Sequence, residues 1–305
     1  MFKLVCGAGN EDAESVKRLV YIYASAGCKL FDLSARKEIL EAAKEGTKLA
    51  NAKNISYCVS IGIKGDKHIA KAKINTSKCT KCAMCTKLCP NDAISSSIFV
   101  NDKKCIGCEI CSKKCPVNAI IMEEKDVDYK EILPYMVKNG VDFLELHIMG
   151  HDKTDLANKW QVINECKPKF ASICIDRENF GNREVLERIK NMIALREPLT
   201  TIIQADGVPM SGGSDDYKTT LQAVAMAEVI QNAELPVLIM LSGGTNSKTA
   251  ELAKLCGINY WGIAIGSWAR KIVKPYIMQD NFWKDKKAQN KAISIAKDLV
   301  AKCEI

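Results

Sequence analysis

Three features of the sequence predict an α/β fold, a (β/α)8 TIM-like barrel interrupted by a second domain. Strand-sized apolar runs alternate with longer helical stretches, and we count eight such strands. No G-x-G-x-x-G motif follows the first strand, so an open dinucleotide-binding sheet has no support. The alternation stops for about sixty residues after the third strand. We therefore expect an inserted domain at this point.

The first three strands precede the interruption. They are predicted at residues 3–8 (KLVCGA), 29–35 (KLFDLSA) and 55–63 (ISYCVSIGI). Helices are predicted between them, at residues 11–27 and 36–51. Asn10 is the expected N-cap of the first helix, because an asparagine side chain can accept a hydrogen bond from an amide of the first turn.

Five further strands follow the interruption. They are predicted at 142–148 (DFLELHI), 170–176 (FASICID), 200–207 (TTIIQADG), 236–244 (PVLIMLSGG) and 260–267 (YWGIAIGS). Gly27, Gly140 and Gly257 each end a helix shortly before a strand, as the short αβ loops of a parallel sheet require. In a barrel, all loops that follow strands lie at one end, here called the mouth. The inserted segment should therefore lie at the mouth.

Eight cysteines in this segment form two copies of the pattern C-x2-C-x2-C-x3-C-P, 26 residues apart. The cysteines are Cys79, Cys82, Cys85, Cys89, Cys105, Cys108, Cys111 and Cys115. This duplication is typical of bacterial ferredoxins that carry two [4Fe–4S] clusters. Zinc sites also use C-x2-C pairs, but four cysteines at this spacing do not match a tetrahedral zinc pattern.

In such ferredoxins the fourth cysteine of each repeat binds the cluster of the other repeat. One cluster is therefore expected on Cys79, Cys82, Cys85 and Cys115. The other is expected on Cys105, Cys108, Cys111 and Cys89. The predicted fold is thus a barrel, residues 1–66 and 124–305, with a two-cluster ferredoxin-like domain, residues 67–123, inserted after strand three.

Charge and composition exclude several classes of protein. The formal net charge of +8 falls to about +4 if each cluster with its thiolates carries about −2. The lysines are dispersed, so we expect no DNA or RNA partner. No apolar run is long enough for a membrane span, and the N-terminus has no signal-peptide pattern. Fifteen cysteines, an odd count, argue against a disulfide framework. A cytoplasmic protein is expected.

Two glycine-containing turns mark a candidate cofactor site at the mouth. Gly243 and Gly244 follow the seventh strand, and Gly266 and Ser267 follow the eighth, with Arg270 one helical turn further on. Loops at these places commonly bind phosphate, and helix N-termini attract anions. FMN or a phosphorylated substrate would suit such a site. The alternative is that these residues only form tight turns. The polar loop 204–216 is a candidate lid or partner surface.

Polar residues near the ends of other strands form a second candidate group. Glu145 and His147 alternate on the fourth strand and so face the same side. Asp32, Asp176 and Asp206 lie near the ends of other strands. These side chains suit either general acid–base catalysis or structural hydrogen bonding. For His147 we expect structural hydrogen bonding. His68 and His151 show no partner pattern.

Several stretches together resemble the LdpA-type (light-dependent period) iron–sulfur protein family of cyanobacteria. They are FKLVCGAGNED, the paired cysteine motifs, QADGVPMSGG, LSGGTN and IAIGSWARK, which span nearly the whole chain. The resemblance implies a cluster-binding regulator that reports cellular redox state to partner proteins.

Three functions remain open. The first is a redox-sensing regulatory protein that acts through electron gain or loss at its clusters on a redox or regulatory protein partner. The second is an iron–sulfur oxidoreductase that passes electrons to FMN or a phosphorylated substrate at the mouth. The third is a simple electron carrier, for which a large barrel would be superfluous. Whether the chain is an enzyme stays undecided.

Overall fold

Eight parallel strands close into a barrel in the computed structural model of the chain, which describes residues 1–7, 9–125, 127–176, 180–207 and 213–303, with the backbone alone at residue 68. Numbered in chain order, the barrel strands are β1 (Phe2–Val5), β2 (Leu30–Ser34), β3 (Ser56–Gly62), β6 (Phe143–His147), β7 (Phe170–Ile175), β8 (Thr201–Asp206), β9 (Leu238–Ser242) and β10 (Gly262–Ile265). The strands neighbour one another in this order, and β10 pairs with β1 to close the ring. The predicted (β/α)8 barrel is confirmed.

Nine helices of the described residues surround the barrel. They are α1 (Ala13–Ser25), α2 (Lys37–Leu49), α5 (Tyr129–Lys138), α6 (Lys153–Glu165), α7 (Asn182–Ile193), α8 (Tyr217–Gln231), α9 (Thr249–Leu255), α10 (Ser267–Ile277) and α11 (Lys286–Cys303). Gly27, Gly140 and Gly257 have φ of 102°, 85° and 67°, as expected of glycines that end helices. No helix of the described residues could span a membrane.

The N-cap of α1 differs from the prediction. Asp12 caps the helix by accepting from the Ser15 amide at 3.2 Å. Asn10 lies two residues earlier and is buried; its side chain donates to the Cys6 carbonyl at 3.2 Å and accepts from the Asp12 amide. Asn10 therefore braces the loop after β1 instead of starting the helix.

The interior of the barrel has an apolar layer and, nearer the mouth, a polar layer. The apolar layer contains Leu30, Cys58, Phe143, Ile202, Met240 and Ala264. Because side chains alternate along a strand, the residue two positions later points inward as well. Four such residues are Asp32, Ser60, Glu145 and Gln204. Together with Lys3 and Ser172, which are buried beside them, they form what we define as the polar layer. The outward faces of the strands pack against the helices in the main core.

The inserted segment follows β3 and forms its own small unit. It contains β4 (Ala70–Ile74), β5 (Ile120–Glu124) and the short helices α3 (Met84–Leu88) and α4 (Ile110–Lys113). The two strands pair only with each other, in antiparallel register. Positive φ angles recur at a 26-residue offset, in the pairs Lys81 and Gly107, Ala83 and Glu109, and Asp92 and Asn118. The internal duplication of the sequence is therefore also a duplication of backbone conformation.

A buried lysine joins the insert to the loop after β1. The Lys71 ammonium donates to the Gly9 carbonyl at 2.6 Å and to the Cys105 carbonyl at 2.7 Å. The Glu11 amide adds a backbone hydrogen bond to the Lys103 carbonyl at 2.8 Å. These contacts hold the second cysteine repeat against the mouth.

A second attachment lies on α10. Lys274 donates to the Pro90 carbonyl and pairs with the Asp92 carboxylate, both at 2.8 Å.

Gly107 has a φ of 73°, and a Cβ there would lie 2.1 Å from the Lys67 carbonyl oxygen. Only glycine fits this close approach between the second repeat and the segment that enters the insert. The insert thus has a defined position over the barrel.

Candidate functional site

Lys3 lies at the centre of the polar layer. Its ammonium donates to Glu145 Oε2 at 2.7 Å and to Gln204 Oε1 at 2.9 Å, and it lies 4.0 Å from an Asp32 oxygen. The residue is almost fully buried inside the barrel. A buried ammonium is stable only when carboxylates and hydrogen-bond acceptors surround it, as they do here.

Glu145 accepts hydrogen bonds from several strands at once. Ser172 Oγ lies 2.8 Å from Oε2, and Ser60 Oγ lies 3.3 Å from Oε1. His147 Nε2 lies 3.1 Å from Oε1, and His147 Nδ1 lies 3.4 Å from Asp66 Oδ2. Glu145 therefore connects the polar layer to the buried His147–Asp66 pair above it.

The charges of this network follow from burial and from its partners. Burial opposes ionisation of Glu145, but Lys3 and His147 outweigh it and hold the pKa of the carboxyl well below its usual range. Burial likewise opposes the charged form of His147, yet hydrogen bonds with Asp66 and Glu145 raise its pKa well above 6.5. Burial raises the pKa of Asp32. A charged Lys3, a charged His147 and an ionised Glu145 result.

Three side chains of this region have the ligand atoms of a possible metal site. Oxygen, nitrogen and sulfur atoms of Glu145, His147 and Cys174 lie within 4.8 Å of one another. Both Glu145 oxygens already accept hydrogen bonds, and the Lys3 ammonium lies 2.7 Å from one of them. A cation would meet a protonated imidazole and an ammonium, so this group is better suited to structural hydrogen bonding, as expected for His147.

A cavity of about 80 Å³ opens at the mouth above the polar layer. The residues predicted to bind a cofactor, Gly243, Gly244, Gly266 and Ser267, all line it, together with Asp32, Glu145, His147, Asp206, Ile106 and Arg270. The structure thus brings the glycine turns and the strand-end polar residues into one place. Typical ligand pockets have roughly 300–1,000 Å³, so this cavity has room only for a small ligand.

Close contacts explain two of these glycines. Gly243 has a φ of 65°, and a Cβ there would lie 1.6 Å from Asp206 Oδ1. A side chain would therefore displace the strand-end carboxylate. A Cβ on Gly266 would lie 3.1 Å from an Arg270 nitrogen, so this turn also leaves room for the guanidinium.

Arg270 connects the mouth with the insert. Its Nη1 donates to the Val5 carbonyl at 2.7 Å. Burial lowers its pKa, and the Cys6 and Cys108 thiols are among the groups that oppose this shift. Arg270 thus bonds to the end of β1 and lines one cavity together with Cys108 of the second repeat.

Other predicted residues lie elsewhere. Asp176 is buried after β7 but is not among the described residues that line the cavity. His151 contacts the Phe180 ring edge-on, with the ring centroids 5.0 Å apart. The side chain of residue 68 and residues 208–212 of the polar loop 204–216 lie outside the described residues.

Asn246 lies in the turn between β9 and α9, which begins at Thr249. Its buried side-chain amide donates to the carbonyls of Ser214 and Asp216, at 3.1 and 2.7 Å. Asn246 therefore attaches the end of the polar loop to the mouth.

The cysteines of the second repeat lie close to the fourth cysteine of the first. Burial, together with the neighbouring Cys108, Cys105 and Cys89, raises the pKa of the Cys111 thiol to about 12. Cys108 likewise interacts with Cys89 and Cys105. This set is the one expected for a cluster that takes its last ligand from the other repeat.

The first repeat is more accessible. Cys82 is exposed and Cys79 and Cys85 are half-buried, whereas Cys105 and Cys111 are buried.

Among the described residues, no three cysteine sulfurs lie within 4.8 Å of one another. Tetrahedral zinc with Zn–S bonds of about 2.3 Å needs sulfurs about 3.8 Å apart. The cysteine sulfurs are therefore not grouped as closely as one zinc ion requires.

Backbone amides point at the cysteine sulfurs in both repeats. Ala93 N lies 3.2 Å from Cys89 Sγ, and Ala119 N lies 3.3 Å from Cys115 Sγ. These two bonds are 26 residues apart, like the cysteines themselves. N–H groups directed at thiolates stabilise their negative charge and tune cluster potentials, so the residues present fit an iron–sulfur site.

Sequence reasoning missed Lys3, Gln204 and Asp66. Lys3 carried a signal, since a lysine between Phe2 and Leu4 in an otherwise apolar strand must either be exposed or have buried partners. The contacts of Asp66 with His147 depend on long-range packing and left no local pattern.

Solved structures with a similar fold are enzymes with low sequence identity to this chain. A truncated 3-deoxy-D-arabino-heptulosonate 7-phosphate synthase from Thermotoga maritima has a TM-score of 0.49 and 11% identity, covering 99% of this chain and 84% of that one. Orotidine 5'-phosphate decarboxylase from Pyrococcus horikoshii has a TM-score of 0.44 and 10% identity, covering 99% of each chain. The barrel assignment rests on the strand order instead.

Sequence comparisons are more specific. A profile described as 4Fe-4S binding domain matches residues 72–95 and 98–121, so this is an iron–sulfur protein with a ferredoxin-type domain. A profile described as Light dependent period A C-terminal domain matches residues 135–302. Light dependent period A of Synechococcus elongatus is 30% identical over 266 residues, covering 83% of this chain and 73% of that protein. The chain belongs to the Light dependent period A family.

Proposed function

We propose that the chain is a redox sensor, built from a barrel of residues 1–66 and 124–305 and a two-cluster domain of residues 67–123. When bound, the clusters would supply one-electron transfer. The observation that carries the proposal is the position of Arg270, which donates to the Val5 carbonyl at the mouth and lines the same cavity as Cys108. A charge change at the second repeat would act directly on this guanidinium.

The eight cysteines would hold the clusters in crossed sets. The set beside the barrel, here called the inner cysteine set, would consist of Cys105, Cys108, Cys111 and Cys89. Cys79, Cys82, Cys85 and Cys115 would form the outer set. The electrostatic contacts of Cys89 with the second repeat support this division.

Electrons would enter at the outer set. Cys82 is exposed, and the exposed residues Lys78, Lys81 and Lys87 lie on the same repeat. Exposed Met84 adds an apolar contact on the same short helix. An acidic redox or regulatory protein is the partner that this surface would attract.

The chain's own residues would carry the signal to the mouth. Arg270 would strengthen or weaken its bond to the Val5 carbonyl as the charge beside Cys108 changes. The polar layer would stay fixed, because Lys3, Glu145 and His147 are buried and mutually bonded. The change in conformation would therefore be confined to the glycine turns around the cavity.

Hydrogen exchange of anaerobic holoprotein, oxidised and reduced, tests the sensor. We expect reduction to change the exchange of peptides that contain Gly243–Gly244 and Gly266–Ser267. The Arg270→Gln variant should lose this difference while it keeps iron and sulfide, and Arg183→Gln on the exposed start of α7 is the matched control. Equal exchange in both redox states of the wild type would refute a sensor and leave an electron carrier.

An oxidoreductase is the second candidate. All four predicted residues, Gly243, Gly244, Gly266 and Ser267, line one cavity with Arg270, and this favours an anionic group at the mouth. Calorimetric titration with inorganic phosphate tests it, with Gly244→Asp as the variant that should abolish binding. Unchanged binding in this variant would eliminate the mouth as the anion site.

A further inference from the structure

A second and larger cavity lies between the insert and the barrel. It has a volume of about 390 Å³, almost five times that of the mouth cavity. The insert forms one wall, and α1 and α10 form the other; we call this cavity the interdomain cleft. Its size falls within the range of pockets that bind cofactor-sized molecules, roughly 300–1,000 Å³.

The walls of the interdomain cleft are largely apolar. Leu19 and Ile277 line it from the barrel side, and Ile106 and Ile110 line it from the insert. Met278 stands at its edge and is 43% exposed. Flat or aromatic molecules bury apolar surface in such a cleft, which favours binding.

Cations surround this apolar cleft. Lys104, Arg270 and Lys271 line it, and among the described residues none of them forms a salt bridge with a carboxylate. Lys271 and Arg270 donate to backbone carbonyls, at 2.5 Å to Gly213 and 2.7 Å to Val5.

The remaining charges of the cleft largely offset one another. Lys274 pairs with Asp92 at 2.8 Å, and the lining carboxylate of Asp12 accepts from a helix amide. The cleft thus keeps an excess of positive charge that a phosphate or carboxylate would neutralise.

The cleft also reaches a predicted cluster ligand. Cys108 is one of its lining residues, and it belongs to the inner cysteine set. A molecule in the cleft would contact the protein shell of that cluster, with no intervening element of the barrel.

We infer that the interdomain cleft binds a flat, mainly apolar, redox-active ring system that carries a phosphate group, with FMN as the probe. The ring would lie against the isoleucines, and the phosphate would lie at Lys104 and Lys271. This inference rests on the proposed function, because it takes the inner cysteine set as a cluster site. It assigns the cofactor-sized ligand to the cleft and leaves the mouth to a smaller anion.

Three probes, titrated into anaerobic holoprotein, separate the two parts of the ligand. We expect the fluorescence of FMN to be quenched when it binds, and riboflavin to bind about tenfold more weakly. Inorganic phosphate should compete with FMN only at high concentration. Met278→Trp should fill the entrance and weaken both flavins. Lys271→Gln should weaken FMN alone and so remove its advantage over riboflavin.

Matched controls lie on the exposed end of α9. Leu255→Trp and Lys254→Gln should leave the affinity for both flavins unchanged. The inference fails if FMN does not bind, if the cleft variants bind it like the wild type, or if Gly244→Asp at the mouth abolishes its binding. Iron, sulfide and redox-dependent exchange are measured on the same samples, so that a failure of the cleft is distinguished from a failure of the sensor.

Discussion

Replacing Lys3 with methionine removes a buried ammonium while it keeps a side chain of similar length inside the barrel. Two contacts are lost, at 2.7 Å to Glu145 and 2.9 Å to Gln204, and a carboxylate of Asp32 lies 4.0 Å away. Glu145 is fully buried, so its negative charge would be left with less compensation. Removing one partner of a buried ion pair costs roughly 3–5 kcal/mol of unfolding free energy.

The partner substitution makes this magnitude testable. Lys3→Met with Glu145→Gln removes both charges, and we expect it to recover more than half of the loss, because neutral pairs of similar shape are tolerated. Urea unfolding under anaerobic conditions, followed by tryptophan fluorescence and circular dichroism, measures all four members of the cycle. Lys254→Met on the exposed end of α9 is the control and should stay within about 0.5 kcal/mol of the wild type.

Two results would contradict this reasoning. A loss below about 1 kcal/mol for Lys3→Met would mean that the ammonium does not compensate Glu145. Additive losses in the double variant would mean that the two residues stabilise the barrel independently.

Three further outcomes follow from the same contacts. His147→Gln should be most destabilising below pH 6.5, and its effect should decrease as the pH rises. The reason is that two carboxylates raise the pKa of His147, although burial opposes its charged form. The unfolding free energies of the variant and the wild type at pH 6 and 9 measure this. Gly243→Ala should lower the unfolding free energy by more than about 2 kcal/mol, because φ is 65° and the new Cβ meets the Asp206 carboxylate. Gly181→Ala, where a Cβ would enter open space, is the control in the same unfolding assay. Cys82→Ser should lower the iron content by about half, since one of two clusters loses a ligand, while Cys256→Ser should keep it; a colorimetric iron assay decides.

The parts of the fold that repeat locally were predictable. Alternating strands and helices, and glycines such as Gly140 that end a helix, depend on neighbouring residues, so the barrel could be read from the sequence. The 26-residue offset between Cys79 and Cys105 indicated the duplication for the same reason. Asn10 was wrongly taken as an N-cap, because propensity does not show that its side chain is needed by the Cys6 carbonyl.

The composition of the site was less predictable, because it depends on which strands become neighbours. Glu145 and His147 were identified from their alternation on one strand. Lys3 belongs to the same network, but it comes from β1, which is three strands away from β6 around the ring. The contact of Arg270 with Val5 joins residues 265 positions apart, and the interdomain cleft exists only once the insert has packed on α10.

The stem of the insert has a consequence for how the chain is ordered. Ala70 and Glu124 lie opposite each other where β4 and β5 begin and end, next to the barrel. From the side of the barrel, the chain leaves and returns at neighbouring points, as it would in a tight turn. A free loop ten times longer than an ordinary connection would cost about 2 kcal/mol more in closure entropy. The paired strands β4 and β5, which form the stem, hold these two points together within the insert. The eight barrel strands can therefore assemble as though the polypeptide between β3 and α5 were short.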